Sequence, residues 1–235
     1  MENYKIILDE ERFLKFVDWL PELMMEGECY YVALFARKKY HPSANEDKSQ
    51  CKRFIATTKE WLITKVRQLE IPLGRYVNKN GTAIHNDALA LYITVNPRSL
   101  PGAQRILLKS LADEIAKGSN SNPYMLAMNS VHKAKSRTCY VDFDFDFAKP
   151  NEGKLFHDFK YYDTFINKDA YHVLETRGGY HLLVNPNKVK EEFKKIWHKK
   201  VSEMPGCDVK GDNLIPIPGC TQGGFCPKFG TEFKI

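Results

Sequence analysis

Apolar residues recur at helical spacing after Asp9, at Phe13, Phe16, Val17, Leu20 and Met24, which predicts an amphipathic helix. Asp9 is suited to cap it, and Glu10 and Glu11 suit its positive end. Pro21 is expected to end or kink it. Cys29 to Ala36 is rich in strand formers and runs into the basic Arg37-Lys38-Lys39. Thr57-x-x-Glu60 reads as a capping box that opens a helix with Leu62, Val66 and Leu69 on one side. Leu89 to Val95 reads as a strand closed by Asn96-Pro97-Arg98. A further helix carries Leu107, Leu111 and Ile115, with Gly118 as its stop.

The second half changes character. Thr138 to Phe147 alternates strictly, and Tyr171–Leu174 and His181–Val184 read as short strands around Arg177-Gly178-Gly179. Lys149 to Ala170 is expected to be helix plus loop. Pro186 to Lys200, with Val189, Phe193, Ile196 and Trp197 on one face, predicts a lysine-rich helix. From Cys207 the chain is punctuated by Gly and Pro, as short strands joined by turns would be. This irregular mixture of strands and helices favours α+β over a doubly wound sheet.

Composition narrows the classes. At 235 residues, 43% hydrophobic and 27% charged, the chain can bury a core, which excludes a disordered tail or a coiled coil. Its 35 Lys and Arg against 29 Asp and Glu give a formal charge of +6, which permits a polyanionic partner without demanding one. No apolar stretch approaches a bilayer span, and Met1 to Lys5 carries no signal core, so a cytoplasmic protein without membrane contact is expected. Six scattered cysteines do not form a disulfide framework. Cys207, Cys220 and Cys226, with His198 as a distant fourth donor, leave Zn²⁺ as a weaker alternative to buried thiols.

The most informative chemistry is Tyr140-Val-Asp-Phe-Asp-Phe-Asp-Phe147. On a strand Phe143, Phe145 and Phe147 share one face, and Asp142, Asp144 and Asp146 share the other, about 7 Å apart. Like charges on one face repel, and a hard divalent cation such as Mg²⁺ or Mn²⁺ removes that penalty. A solvated sheet face over an aromatic core is the plainer reading. Thr176-Arg177-Gly178-Gly179-Tyr180-His181 offers glycine backbone that a phosphate can approach, a forked cation and an imidazole donor. It also fits a simple hairpin turn. Asp208 and Lys210, before a Pro- and Gly-rich stretch that includes Gln222-Gly-Gly, add an acid and a cation.

Taken in order, these segments resemble the archaeo-eukaryotic primase superfamily, and most closely the primase-polymerase domains of plasmids and phages. Val141-Asp142-Phe143-Asp144 matches the acid-x-acid motif, Thr176 to His181 the motif that ends in a strand histidine, and Asp208 the third acid. The resemblance implies an α+β primase-polymerase-like fold in a single domain. Residues 1–120 would form an N-terminal αβ module packed on an RRM-like catalytic sheet in residues 121–235. It implies a metal-dependent nucleotidyltransferase that makes or extends primers on a single-stranded DNA template. Asp142, Asp144 and Asp208 would hold Mg²⁺ or Mn²⁺, and His181 would contact the phosphates of an NTP or dNTP. Thr176, Arg177, Gly178, Gly179 and Lys210 would assist. Asp146 leaves Asp144/Asp146 open as the alternative pair. Arg37, Lys38, Arg98, Lys133, Lys135, Arg137 and the Lys188–Lys200 segment are candidates for template contact. With no helicase segment in view, a separate helicase or replication protein is implied. The alternative is a primase-like module that binds nucleotide or nucleic acid without catalysis, in replication initiation or phage–host conflict.

Overall fold

Asp9 opens α1 (Glu10–Trp19), its carboxylate accepting the Arg12 amide hydrogen. Helical spacing then buries Phe13, Phe16 and Val17. The helix closes at Leu20, ahead of Pro21, and Met24 lies beyond it, exposed. The computed structural model describes residues 2–146 and 161–230, with the backbone alone for Val209 and Lys210. The expected Lys149–Ala170 segment and Phe147 therefore lie largely outside the described residues.

The first sheet is built on β1 (Glu28–Ala36), whose two faces feed two cores. Tyr30, Val32 and Leu34 pack with residues of α1 and of α2 (Lys59–Arg67), while Cys29, Tyr31 and Ala33 meet residues of α4 (Pro123–Lys133) and Ala103 of α3 (Leu100–Ala116). β1 pairs antiparallel with β2 (Ser49–Ala56), β3 (Leu89–Thr94) and β4 (Arg98–Ser99). Thr58, not Thr57, caps α2, because it is the Thr58 hydroxyl that accepts the Trp61 amide hydrogen. In α3 the expected stripe is shallow: Leu107 and Leu111 are half-buried and Ile115 is exposed.

The second sheet has the order β10-β6-β7-β5-β8, with every neighbouring pair antiparallel. Its strands are β5 (Val141–Asp146), β6 (Tyr171–Thr176), β7 (Gly179–Val184), β8 (Cys207–Gly211) and β10 (Lys228–Phe229). Helical residues 161–165 precede β6 and the short helix Trp197–Ser202 precedes β8. The β5-to-β8 unit thus runs β-α-β-β-α-β, with its second, third, first and fourth strands side by side, a split βαβ arrangement. Phe143, Phe145, Tyr162, Tyr180 and Trp197 form the aromatic core under this sheet.

The single helix expected from Pro186 to Lys200 does not form. Two 3₁₀ turns, Pro186–Lys188 and Glu191–Phe193, precede the short helix. Val189 is extended between them and bridges Ile166, which interrupts the helical ladder.

The two sheets share a core. Leu174 and Leu183 of the second join the cluster under β1, and β9 (Leu214–Pro216), which follows β8 in the chain, pairs with β3 of the first. Among the described residues no helix is long and apolar enough to cross a membrane.

Candidate functional site

β5 alternates as its sequence demands, with Phe143 and Phe145 fully buried in the aromatic core and the acids on the opposite face. Antiparallel pairing then sets a row across three strands: His181 on β7, Asp144 on β5 and Asp208 on β8 are direct register partners. Next along β5, Asp146 pairs with Gly179.

A cleft of about 680 Å³ opens beside this row, between the two sheets. Asp144, Asp146, Thr176, Arg177, Gly178 and His181 line its acidic side. Phe35, Arg37, Lys39, Tyr40, Lys48 and Tyr92 line the side contributed by the first sheet and its loops, and His132, Gln222 and the Asn213, Leu214 and Pro216 segment line the rest. Of the expected acids, Asp142 is fully buried and does not line the cleft, and Asp208 is exposed beside Asp144 without lining it. The pair that does reach the cleft is Asp144 and Asp146.

Asp142 acts on the cleft through His181. Its Oδ1 lies 2.8 Å from His181 Nδ1, and His181 Nε2 lies 3.5 Å from Asp144 Oδ1. Burial works against the imidazolium. The carboxylates of Asp142, then Asp144 and Asp146, more than offset it and raise the His181 pKa above the ordinary histidine value. Burial, followed by the charge of Arg98, instead lowers that of His132.

The Arg177-Gly178 pair is a two-residue hairpin turn between β6 and β7. Gly179 is required by close approach: a Cβ there would fall 1.8 Å from the Phe145 carbonyl oxygen. The Gly178 amide is directed to Thr176 Oγ1 at 3.4 Å. Arg177 faces the cleft, its backbone amide on Gln222 Oε1 at 2.8 Å and its guanidinium donating to the Gly223 carbonyl. Lys210 is the extra residue where the β5–β8 register shifts, and its side chain lies outside the described structure.

Three expected template contacts are paired with acids of the protein itself. Arg98, 1% exposed, holds Asp212 through two hydrogen bonds of 2.7 and 3.0 Å. Arg137 holds Glu28, and Arg37 holds Asp47 while donating to the Tyr92 hydroxyl. Lys38, Lys133 and Lys135 are exposed. The contributions of Lys39, Tyr40, Lys48 and His132 to the cleft were not read from the sequence. The basic run that follows β1 was a signal for Lys39 alone.

The donor set suits a hard divalent ion. Asp144 and Asp146 offer carboxylate oxygens at the cleft, and Asp142 Oδ2 is buried without a hydrogen-bond partner. Among the described residues no three His, Cys, Asp or Glu side chains form a group that could hold a metal ion. For zinc the cysteines are poorly placed: Cys220 is buried, and Cys226 Sγ accepts a hydrogen bond from Arg12 at 3.3 Å. The chain matches no protein-family model, no curated protein and no solved structure.

Proposed function

We propose that the chain is a primase-type nucleotidyltransferase that joins NTPs or dNTPs on a single-stranded DNA template. The observation that carries this reading is the His181–Asp144–Asp208 row, with Asp146 beside it, at the edge of a cleft whose facing wall is cationic. Asp144 and Asp146, with Asp208 in register, would hold Mg²⁺ or Mn²⁺. When bound, such an ion supplies charge neutralisation at the phosphates and lowers the pKa of an attacking hydroxyl. His181 would donate an N–H toward a phosphate oxygen, and Asp142 fixes the ring that would do so. Arg177 and Thr176 sit where they can orient the same phosphates. The split βαβ sheet supports the primase-polymerase-like assignment. Such an enzyme would work in the cytoplasm beside a separate helicase or replication protein.

A second reading, a non-catalytic nucleotide or nucleic-acid binding module, is favoured by one observation: the described acids do not themselves form a three-donor group. Incorporation of labelled NTPs and dNTPs on single-stranded and primed DNA, with Mg²⁺ or Mn²⁺, separates the two. Metal-dependent product that vanishes in the Asp144→Ala/Asp146→Ala double variant supports the enzyme. No product under any condition, with nucleotide or DNA still bound, supports the binding module.

A further inference from the structure

Four cations line the cleft that the acids border. Three of them sit over the Tyr40 ring: Arg177 at 4.9 Å, Lys39 at 5.2 Å and Arg37 at 5.6 Å from its centroid. Lys48 adds a fourth to the cleft. Its φ of 69° makes it the one non-glycine residue among those described in the left-handed region. A lysine is held there only when its surroundings over-determine it.

The charges are only partly answered within the protein. Asp47 pairs with Arg37. Among the described residues neither Lys39 nor Lys48 forms an ion pair, and the Arg177 guanidinium donates to a neutral carbonyl. Burial, and then the neighbouring Arg37, pull the Lys39 pKa down, against the charges of Asp47, Asp146 and Asp144. The stack is also built tightly. At Gly223 (φ 67°) a Cβ would meet both the Tyr40 ring and the Arg177 guanidinium at 2.5 Å, so a glycine there lets the two pack.

We propose that Arg37, Lys39, Lys48 and Arg177, gathered around Tyr40, form a phosphate-binding wall for a ligand with at least two linked phosphates. One carboxylate or one phosphate would answer a fraction of this charge, whereas a phosphate chain spans several cations at once. The wall itself needs no catalysis. It rests on the nucleotidyltransferase reading only for the source of the phosphates, a free triphosphate or the backbone of a strand.

The test measures binding by the full chain without divalent ions. One arm titrates inorganic tripolyphosphate by calorimetry, and the other titrates a labelled oligothymidine at low salt. The Lys39→Gln/Lys48→Asn double variant changes two exposed residues, with asparagine retained as a residue that tolerates positive φ. It is expected to bind at least about tenfold more weakly than wild type, a loss of about 1.4 kcal/mol. Asp144→Asn/Asp146→Asn is expected to bind at least as well as wild type. A loss in the tripolyphosphate arm assigns the wall to a free triphosphate, and a loss confined to the oligothymidine arm assigns it to a strand backbone. Wild type that binds neither probe, or a double variant indistinguishable from wild type in both arms, overturns the proposal. Single Lys39→Gln, with melting curves, excludes loss of fold as the cause. A chain that binds tripolyphosphate through this wall and polymerises nothing would retire the enzymatic reading and leave the wall standing.

Discussion

His181 stands directly opposite Asp144 in the β5–β7 register, yet its closer carboxylate is Asp142, one pleat repeat further along β5. The ring therefore leans along the sheet, one nitrogen on a fully buried acid and the other toward an acid at the cleft. That lean divides the three aspartates of one strand into two kinds.

The division gives different activity losses. If the enzymatic reading holds, Asp146→Asn removes a carboxylate at the reacting phosphates and incorporation falls by about 10³-fold. Asp142→Asn disturbs only the support of His181, and the fall is about 10–100-fold. Steady-state incorporation with Mn²⁺ checks the order, and equal losses would remove the distinction.

Stability depends on the same contact. His181→Ala leaves the Asp142 carboxylate buried with neither oxygen partnered, at a cost of about 3 kcal/mol. Urea denaturation measures it. An unchanged midpoint would show that water or an ion already satisfies Asp142.

The hairpin glycines should differ sharply. Gly179→Ala drives a Cβ into the Phe145 carbonyl and separates β7 from β5, at a cost of at least about 3 kcal/mol. At Gly178 the nearest heavy atom to a Cβ would be Asp146 Oδ1 at 3.8 Å, and the substitution to alanine is expected to cost about 1 kcal/mol or less. Soluble yield and thermal midpoint of the two variants make the comparison.

Arg98 and Asp212 tie β4 to the turn that follows β8, and Asn96 joins them by donating to Asp212 and to the Tyr140 carbonyl. Asp212→Ala leaves a guanidinium buried without its partner and is expected to cost about 3 kcal/mol. Arg98→Met/Asp212→Leu should recover part of that loss, because no buried charge remains. A double-mutant cycle in urea reads the coupling, and additive losses would contradict it.

Glu28 sets an acid limb of the stability curve. Burial raises its carboxyl, but hydrogen bonds from Ser136, Arg137 and the Met24 and Met25 amides more than offset this and hold its pKa below the usual glutamate value. A depressed carboxylate stabilises the fold fully above its unfolded pKa of about 4.3 and loses that contribution as pH falls through the lower folded value. Wild type should therefore lose stability more steeply than Glu28→Gln below about pH 4.3, in denaturant melts taken at stepped pH.

Where one face of an element meets the core, the sequence carried the information. The Phe–Asp alternation of β5, the Asp9 cap of α1 and the hairpin around Arg177-Gly178 all follow from local periodicity and turn chemistry. β2 and α4 escaped notice. β2 is half-buried with little alternation, and α4 buries only Met128, Ser130 and Val131. The site was legible as a set of acids on one strand, but not as a division of labour. That Asp142 is buried behind His181 while Asp146 reaches the cleft depends on the packing of the first sheet against the second. Gln222 is far along the chain from Tyr40 and Lys48, and no spacing rule joins it to them.

The pairing of β9 with β3 has a consequence for biosynthesis. Tyr92 cannot meet Pro216, nor Ile93 meet Ile215, until more than a hundred further residues have left the ribosome. The first sheet, although begun early in translation, must wait with β3 unpaired on one side for a strand made near the end. Loop closure of that length slows folding, and an open apolar strand edge is a site for intermolecular pairing in the interval. The nascent chain is thus most exposed to aggregation before the segment that follows Asp212 emerges, and a chaperone would be most useful during that interval.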